Sequence, residues 1–340
     1  MEALELLRLN LLSPMVLAFA LGVVATLVRS DLRFPDALYT TLSIYLLLAI
    51  GLKGGVALAT TPLALLWLPA LATVAFGVVT PLWTYGLLRS IGRFGVADAA
   101  AMAAHYGSVS VVTFIACQTF LERAGVPYEG FMATLVALLE VPAILVALVL
   151  ARSIMTKQAA NEALAHGATG GPPAAPWSTL LGEVLAGRSI VLLAGGLVIG
   201  AATGPEGMAR VEPFFVAPFE GVLTLFLLEM GLVTGRRLGD LRTVGPFLVA
   251  FGIVVPLLHG MLGVLIGPSL GLSIGGTTVL AVLFGSASYL AATAAVRLGL
   301  PEANPSLYLT ASLAITFPFN LLIGIPLYAR AAVWLWGGTA

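Results

Sequence analysis

Ala100–Phe120 reads AAMAAHYGSVSVVTFIACQTF, and Thr277–Leu298 reads TTVLAVLFGSASYLAATAAVRL. Each run is long enough to cross a bilayer core, which takes about 20 apolar residues as a helix. Each carries a Gly-Ser-x-Ser cluster near its middle, Gly107–Ser110 in the first and Gly285–Ser288 in the second. Small hydroxyl residues compete for backbone hydrogen bonds and favour caps and breaks over continuous helix. A broken helix is tolerated at membrane depth only inside protein or beside water, because its freed backbone groups need partners. Two breaks at matching places predict half-helices meeting at one buried spot. The competing reading is that the small residues only let helices pack closely.

The composition around these runs agrees with a membrane setting. Of 340 residues, 59% are hydrophobic and 9% charged, against about 25% charged in a soluble domain. Too few charges remain to cover a soluble surface, so the chain reads as an all-α integral membrane protein. Sixteen basic residues balance sixteen acidic ones without a basic tail, which gives nucleic-acid binding no support. The single cysteine, Cys117, excludes a disulfide within the chain and a Cys-rich metal site. The opening MEALELLRLN lacks the cationic region of a cleaved leader, so the first apolar run is expected to be retained.

Charge-poor stretches predict ten spans: Leu9–Val28, Ala37–Leu52, Leu63–Leu88, Ala99–Leu121, Phe131–Ala151, Ser189–Gly204, Phe214–Val233, two within Thr243–Val296 split at Gly267–Gly276, and Ala303–Ala329. They divide into a first five-helix repeat (1–152), a linker (153–187) containing TGGPPAAP at Thr169–Pro176, and a second repeat (188–340). The side holding the N-terminus carries five Lys and Arg, and the other side eleven. The positive-inside rule then places the linker in the cytoplasm and both termini outside.

The two halves repeat each other. LAIGLKGGVAL (Leu48–Leu58) aligns with LEMGLVTGRRL (Leu228–Leu238), FGVVTPL (Phe76–Leu82) with FGIVVPL (Phe251–Leu257), and GSVS with GSAS, at offsets of 180, 175 and 178 residues. An odd number of spans per half forces the second half to insert upside down. That is the inverted-topology repeat of secondary transporters, with spans four and nine broken.

The broken spans carry the chemistry. Two half-helix N-termini aimed at one spot offer free N–H groups and positive dipole ends to an anion. Ser108, Ser110, Thr113, Ser286 and Ser288 add hydroxyls. Glu140, in LLEVPAI, is a carboxylate at mid-span, which by default is a functional candidate as a cation ligand or proton carrier. Pro142 frees a backbone carbonyl near it. The alternative is a neutral Glu140 bonded to a neighbouring helix. His105 and His259 read as hydrogen-bonded packing residues, and His166 as solvated linker. Lys53, Glu229 and Arg236–Arg237 lie near span ends, where snorkelling accounts for them. GPSLG (Gly267–Gly271) matches a nucleophile pattern but joins two spans with no strand before it. No P-loop, HExxH or Cys/His spacing is present, and no catalytic constellation argues for an enzyme.

IGLKGGVAL (Ile50–Leu58), GSVSVVT (Gly107–Thr113), LERAGVPYEG (Leu121–Gly130), LEVPA (Leu139–Ala143), EMGL (Glu229–Leu232), PLLHG (Pro256–Gly260) and VRLGLPEANPSLYLTAS (Val296–Ser312) run in order over almost the whole chain. Together they resemble the SbtA-type sodium-dependent bicarbonate permeases of bacteria. The resemblance implies a ten-helix, five-plus-five fold with core and gate domains, an elevator-like motion, sodium symport, a homotrimer in the inner membrane, and a PII-like cytoplasmic regulator. It implies a substrate site at Gly107, Ser108, Val109, Ser110 and Thr113 from one half and Gly285, Ser286 and Ser288 from the other. Sodium ligands would come from Glu140, Ser110, Thr113 and Ser288, with no covalent cofactor. Where the family carries an aspartate after its second serine cluster this chain has Tyr289, and Val111–Val112 replace smaller or hydroxyl residues.

The leading expectation is therefore sodium-coupled bicarbonate uptake. The departures at Tyr289 and Val111–Val112 favour a runner-up, a cation- or proton-coupled carrier of a small organic carboxylate. A non-transporting membrane sensor is the third reading.

Overall fold

A computed structural model of the chain describes residues 3–166, 182 and 185–336. Every element among these residues is helical. The first half gives α1 (Ala3–Leu11), α2 (Pro14–Leu27), α3 (Asp36–Thr60), α4 (Leu63–Ser90), α5 (Val96–Gly107), α6 (Val111–Arg123), α7 (Met132–Glu140) and α8 (Pro142–His166). The second half gives α9 (Arg188–Phe215), α10 (Phe219–Arg237), α11 (Leu241–Ile266), α12 (Ile274–Gly285), α13 (Ala291–Gly299) and α14 (Pro305–Leu335). Among the described residues, seven helices are long and apolar enough to cross a membrane, counting α5 with α6 and α7 with α8, and the chain is a multi-pass membrane protein. The apolar helices Pro14–Leu27 and Ile274–Gly285 are shorter.

Local chemistry sets the ends. Ser13 caps α2 by accepting the Val16 N–H, with Pro14 at its first position. Ser273 caps α12 by accepting the Gly276 N–H. α9 contains a kink at Gly204, where φ is +61° before Pro205, so the run predicted to end at Gly204 continues on a new axis to Phe215. α8 continues to His166, past Ser153 where the sequence places the start of the linker. The TGGPPAAP stretch lies outside the described residues.

α5, α6 and α12 form the centre: nearly every residue of α5 and α6 is buried, and nearly all of α12 is too. α4 and α8 flank α5, and α11 and α14 flank α12. Outside this group, α2 crosses α10 and α3 crosses α9. Both crossings are made by glycine. A Cβ on Gly51 would lie 2.8 Å from the Leu193 carbonyl oxygen and 2.9 Å from the Gly196 Cα, and one on Gly22 would lie 2.8 Å from the Leu232 nitrogen. In lipid no hydrophobic force draws helices together, so close backbone contact supplies the attraction. Gly51→Ala is expected to cost about 1–3 kcal/mol through overpacking, read as a lower melting temperature of the purified protein. An unchanged melting temperature would mean that this crossing yields freely. The outer faces carry large apolar side chains such as Leu17, Leu21, Leu63, Trp67, Leu258 and Leu265, all exposed, as lipid contact requires.

α14 departs from α geometry twice, with π-helical turns at Thr310–Thr316 and Asn320–Gly324. Such turns concentrate at functional positions. Here the second places Asn320 so that its Nδ2 donates to the Gly285 carbonyl at 2.7 Å, satisfying the last turn of α12.

Candidate functional site

The first break is the extended stretch Ser108–Ser110 between α5 and α6. Ser110 caps α6: its Oγ accepts the Thr113 N–H at 3.2 Å and the Thr113 hydroxyl at 2.8 Å. The second break, from Ser286 to Leu290, separates α12 from α13. Ser288 Oγ accepts the Ala292 N–H at 3.3 Å. The breaks clasp each other. The Ser110 N–H donates to Ser286 Oγ at 3.0 Å, and the Ser288 N–H donates to the His105 carbonyl at 2.8 Å. The Ser286 hydroxyl donates onward to the Leu283 carbonyl at 3.0 Å. Backbone groups that a lone break would leave orphaned in the membrane are thus satisfied by the other break.

A third discontinuity lies beside the clasp. α7 ends at Glu140 and α8 begins at Pro142, which brings no N–H. Ser108 Oγ donates to the Glu140 carbonyl at 3.2 Å, tying this joint to the first break. The Glu140 side chain is 1% exposed. Its carboxyl lies beside Ser189 near the start of α9, and Oε2 has no hydrogen-bond partner.

A small cavity of about 10 Å³ is lined by Val109, Ser110, Val111, Glu140, Ser288, Tyr289 and Leu290. Space of that size holds about one water. Val111 begins α6 and Leu290 caps α13, so two positive helix ends open on the cavity that also holds the carboxylate. Tyr289 is buried, its ring edge-on to Phe317 at 5.6 Å, and its hydroxyl lies beside Ser110 without a hydrogen bond of good geometry.

The expected site residues therefore divide. Val109, Ser110, Ser288 and Glu140 line the cavity. Thr113 stands behind Ser110 as its hydrogen-bond donor. Ser108 and Ser286 hold the clasp. Gly107 makes room for Pro81, whose Cγ would lie 2.7 Å from an added Cβ, and the Gly285 carbonyl is taken by Asn320. His105 is a packing residue: Nδ1 meets the Ala101 carbonyl at 2.7 Å, Nε2 meets Thr293 Oγ1 at 3.2 Å, and the ring stacks on Tyr308. His259 sits edge-on against Phe76 and Trp83. Snorkelling does not describe Glu229, which is buried and pairs with Arg236 at 3.1 Å because α10 turns its side chain inward; Arg237 pairs with Asp240 at 3.3 Å.

Ser189 and Asn320 are the residues that sequence reasoning missed. A signal for the α14 joint exists: Thr316-Phe317-Pro318 repeats Glu140-Val141-Pro142 after 176 residues. Thr316 bridges the Tyr106 hydroxyl and the Gly252 carbonyl, at 2.7 Å each.

A second cavity has a volume of about 270 Å³. It shares Leu290 with the small one, is walled by Ser189, Ala291, Ser43 and Leu47, and has Arg188 among its lining residues.

No match was found among curated proteins. Residues 14–333, which hold all three discontinuities and every residue lining the small cavity, match the Na+-dependent bicarbonate transporter superfamily, and the chain belongs to that family of transporters.

Proposed function

We propose that the chain takes up bicarbonate by symport with sodium, using an elevator-type motion of a core built on α5–α8 and α11–α14 against a gate built on α2, α3, α9 and α10. One observation carries this reading: a buried carboxylate with a free oxygen shares a water-sized cavity with two serine hydroxyls and two helix N-termini. Hard cations want anionic oxygen, and Glu140, Ser110 and Ser288 supply a carboxylate and two hydroxyls. The cavity suits a bare monovalent cation better than a four-atom anion. Bicarbonate would be held by N–H groups and hydroxyls at the half-helix ends once the adjoining 270 Å³ space is included. Binding through dipoles rather than a buried arginine suits a ligand that must also leave.

The ten-span inverted repeat belongs to the same proposal. Its support is the paired glycine crossings, α2 on α10 and α3 on α9, and the paired breaks. In this reading the linker side, with Arg188 at the vestibule, is cytoplasmic, both termini are external, and the protein works as a homotrimer in a bacterial inner membrane with room for a PII-like regulator on the linker side. The small cavity argues against an organic carboxylate at this site, and the retained carboxylate argues against a sensor.

The test is labelled bicarbonate uptake by proteoliposomes at fixed pH, with and without an inward sodium gradient. Sodium-stimulated uptake is expected. No uptake from folded protein under either condition, or uptake indifferent to sodium, overturns the proposal.

A further inference from the structure

A third cavity, of about 100 Å³, lies at the opposite end of α3 from the Arg188 vestibule. It is lined by Lys53, Gln118, Thr119, Glu122, Tyr128 and Phe219, among others. It occupies the seam between α3 and α10 on one side and α6 and α7 on the other. Its volume is several times the roughly 10–15 Å³ that one water needs. Lys53 lies seven residues before the end of α3, in the membrane-embedded part of the chain, where an ionisable group has a function by default. Its ammonium sits 4.8 Å from the Phe219 ring centroid, and among the described residues no carboxylate lies within 4.0 Å of it. Glu122 faces the same space but is occupied on one oxygen by the Tyr128 hydroxyl at 2.8 Å. Burial and the Glu122 carboxylate push the Tyr128 hydroxyl up, so it stays a protonated donor.

The lining is not a bare cationic hole. It offers a strong donor (Lys53), a carboxylate acceptor (Glu122), and groups that do both (Gln118, Thr119, Tyr128). A monoprotonated oxyanion has the complementary set: acceptor oxygens for the ammonium and one O–H for the carboxylate. Chloride and nitrate lack the O–H and leave Glu122 facing a negative charge. α3 adds a second observation. Ser43 and Leu47 line the Arg188 vestibule, and Ile50, Lys53, Gly54 and Ala57 line this cavity. Positions 43, 47, 50, 54 and 57 recur at spacings of three and four, which is one helix face. One stripe of α3 therefore walls both cavities, one beyond each side of the crossing.

We propose that the Lys53–Glu122 cavity is a capture site for a small monoprotonated oxyanion of the bicarbonate type on the N-terminal side of the membrane, ahead of the Glu140 site. The inference rests on the transport reading above. It gives Lys53 a binding role in place of snorkelling.

The test uses the full-length protein in vesicles with Gln118→Cys as reporter. Native Cys117 is fully buried. Labelling of the new thiol by a maleimide is followed at constant pH and ionic strength. Sodium bicarbonate is expected to slow labelling at least threefold, with sodium chloride or nitrate ineffective. Adding Lys53→Gln should abolish the protection and Lys53→Arg should retain part of it. Ala57→Cys on the facing helix repeats the measurement should Gln118→Cys fold poorly. Equal protection by chloride, or survival of protection in Lys53→Gln, overturns the proposal. So does protection that depends on anionic lipid in the vesicle rather than on bicarbonate, which would make the occupant a lipid phosphate. Uptake is measured in the same vesicles. Transport without protection removes the capture site alone, whereas protection without transport removes the symport reading and leaves the site.

Discussion

Glu140→Gln is expected to raise the sodium concentration needed for half-maximal uptake at least tenfold, and to leave the protein folded. Two unit charges 4 Å apart attract by about 4 kcal/mol at an effective dielectric of 20, which corresponds to roughly three decades in affinity. Glutamine keeps the shape and one carbonyl oxygen, so part of that is retained and a tenfold shift is the lower bound. Folding responds differently. Glu140 is 1% exposed and its Oε2 has no partner, so without a bound cation the carboxylate is held at a desolvation cost. Removing its charge should leave the melting temperature equal or higher. The Ser108 bond goes to the main-chain carbonyl of residue 140 and survives the change. A stability rise under low sodium that shrinks at high sodium would be the signature of a ligand binding the folded wild type. Wild-type sodium dependence in the Gln variant would remove Glu140 from the cation site.

The breaks were legible because composition forces them. A Gly-Ser-x-Ser cluster inside an apolar run cannot be an ordinary lipid-facing helix, and GSVS and GSAS recur at the spacing of the wider repeat. Glu140 was legible as an acid without charged neighbours in sequence. What sequence could not show is which hydroxyls face the space between the breaks. Ser108 and Ser110 are two residues apart in extended backbone, yet one ties down the α7–α8 joint while the other lines the cavity. Residues two apart in an ideal extended segment share a face, so spacing alone places the two hydroxyls together; their partners separate them, the Glu140 carbonyl for Ser108 and the start of α6 for Ser110. Ser189 was hidden for another reason: it opens a span, a position normally explained by capping, and only the packing of α9 brings it to Glu140. Glu229 misled because nearness to a pair of arginines suggests an aqueous end, whereas its place on α10 is interior. Tyr289 was visible as a departure from the family pattern, and the structure adds that its phenol fills the space beside Ser110.

The split among the serines leads to the second large effect. Ser110→Ala and Ser288→Ala should each lower uptake at least tenfold, and Ser286→Ala should not shift sodium dependence. All three hydroxyls are fully buried and bonded, so a purely structural role would predict similar outcomes. The geometry separates them. Ser110 caps α6, Ser288 accepts the Ala292 N–H in the first turn of α13, and both line the cavity; Ser286 accepts the Ser110 N–H and donates to Leu283 without lining it. Loss of a cap costs about 1 kcal/mol, and loss of the Ser286 hydroxyl strands a buried N–H at about 1–3 kcal/mol. By stability alone Ser286→Ala is the worst of the three. By ion affinity it should be the mildest, because it removes no cavity oxygen. Thermal melting and half-maximal sodium concentration, measured on the same preparations, should therefore rank the variants in opposite orders. If both measurements rank them alike, the crossing is a structural clasp and the ions bind elsewhere. Ser110→Thr keeps the hydroxyl and the cap, and recovery of uptake in that variant would tie the loss in Ser110→Ala to the oxygen rather than to the altered volume.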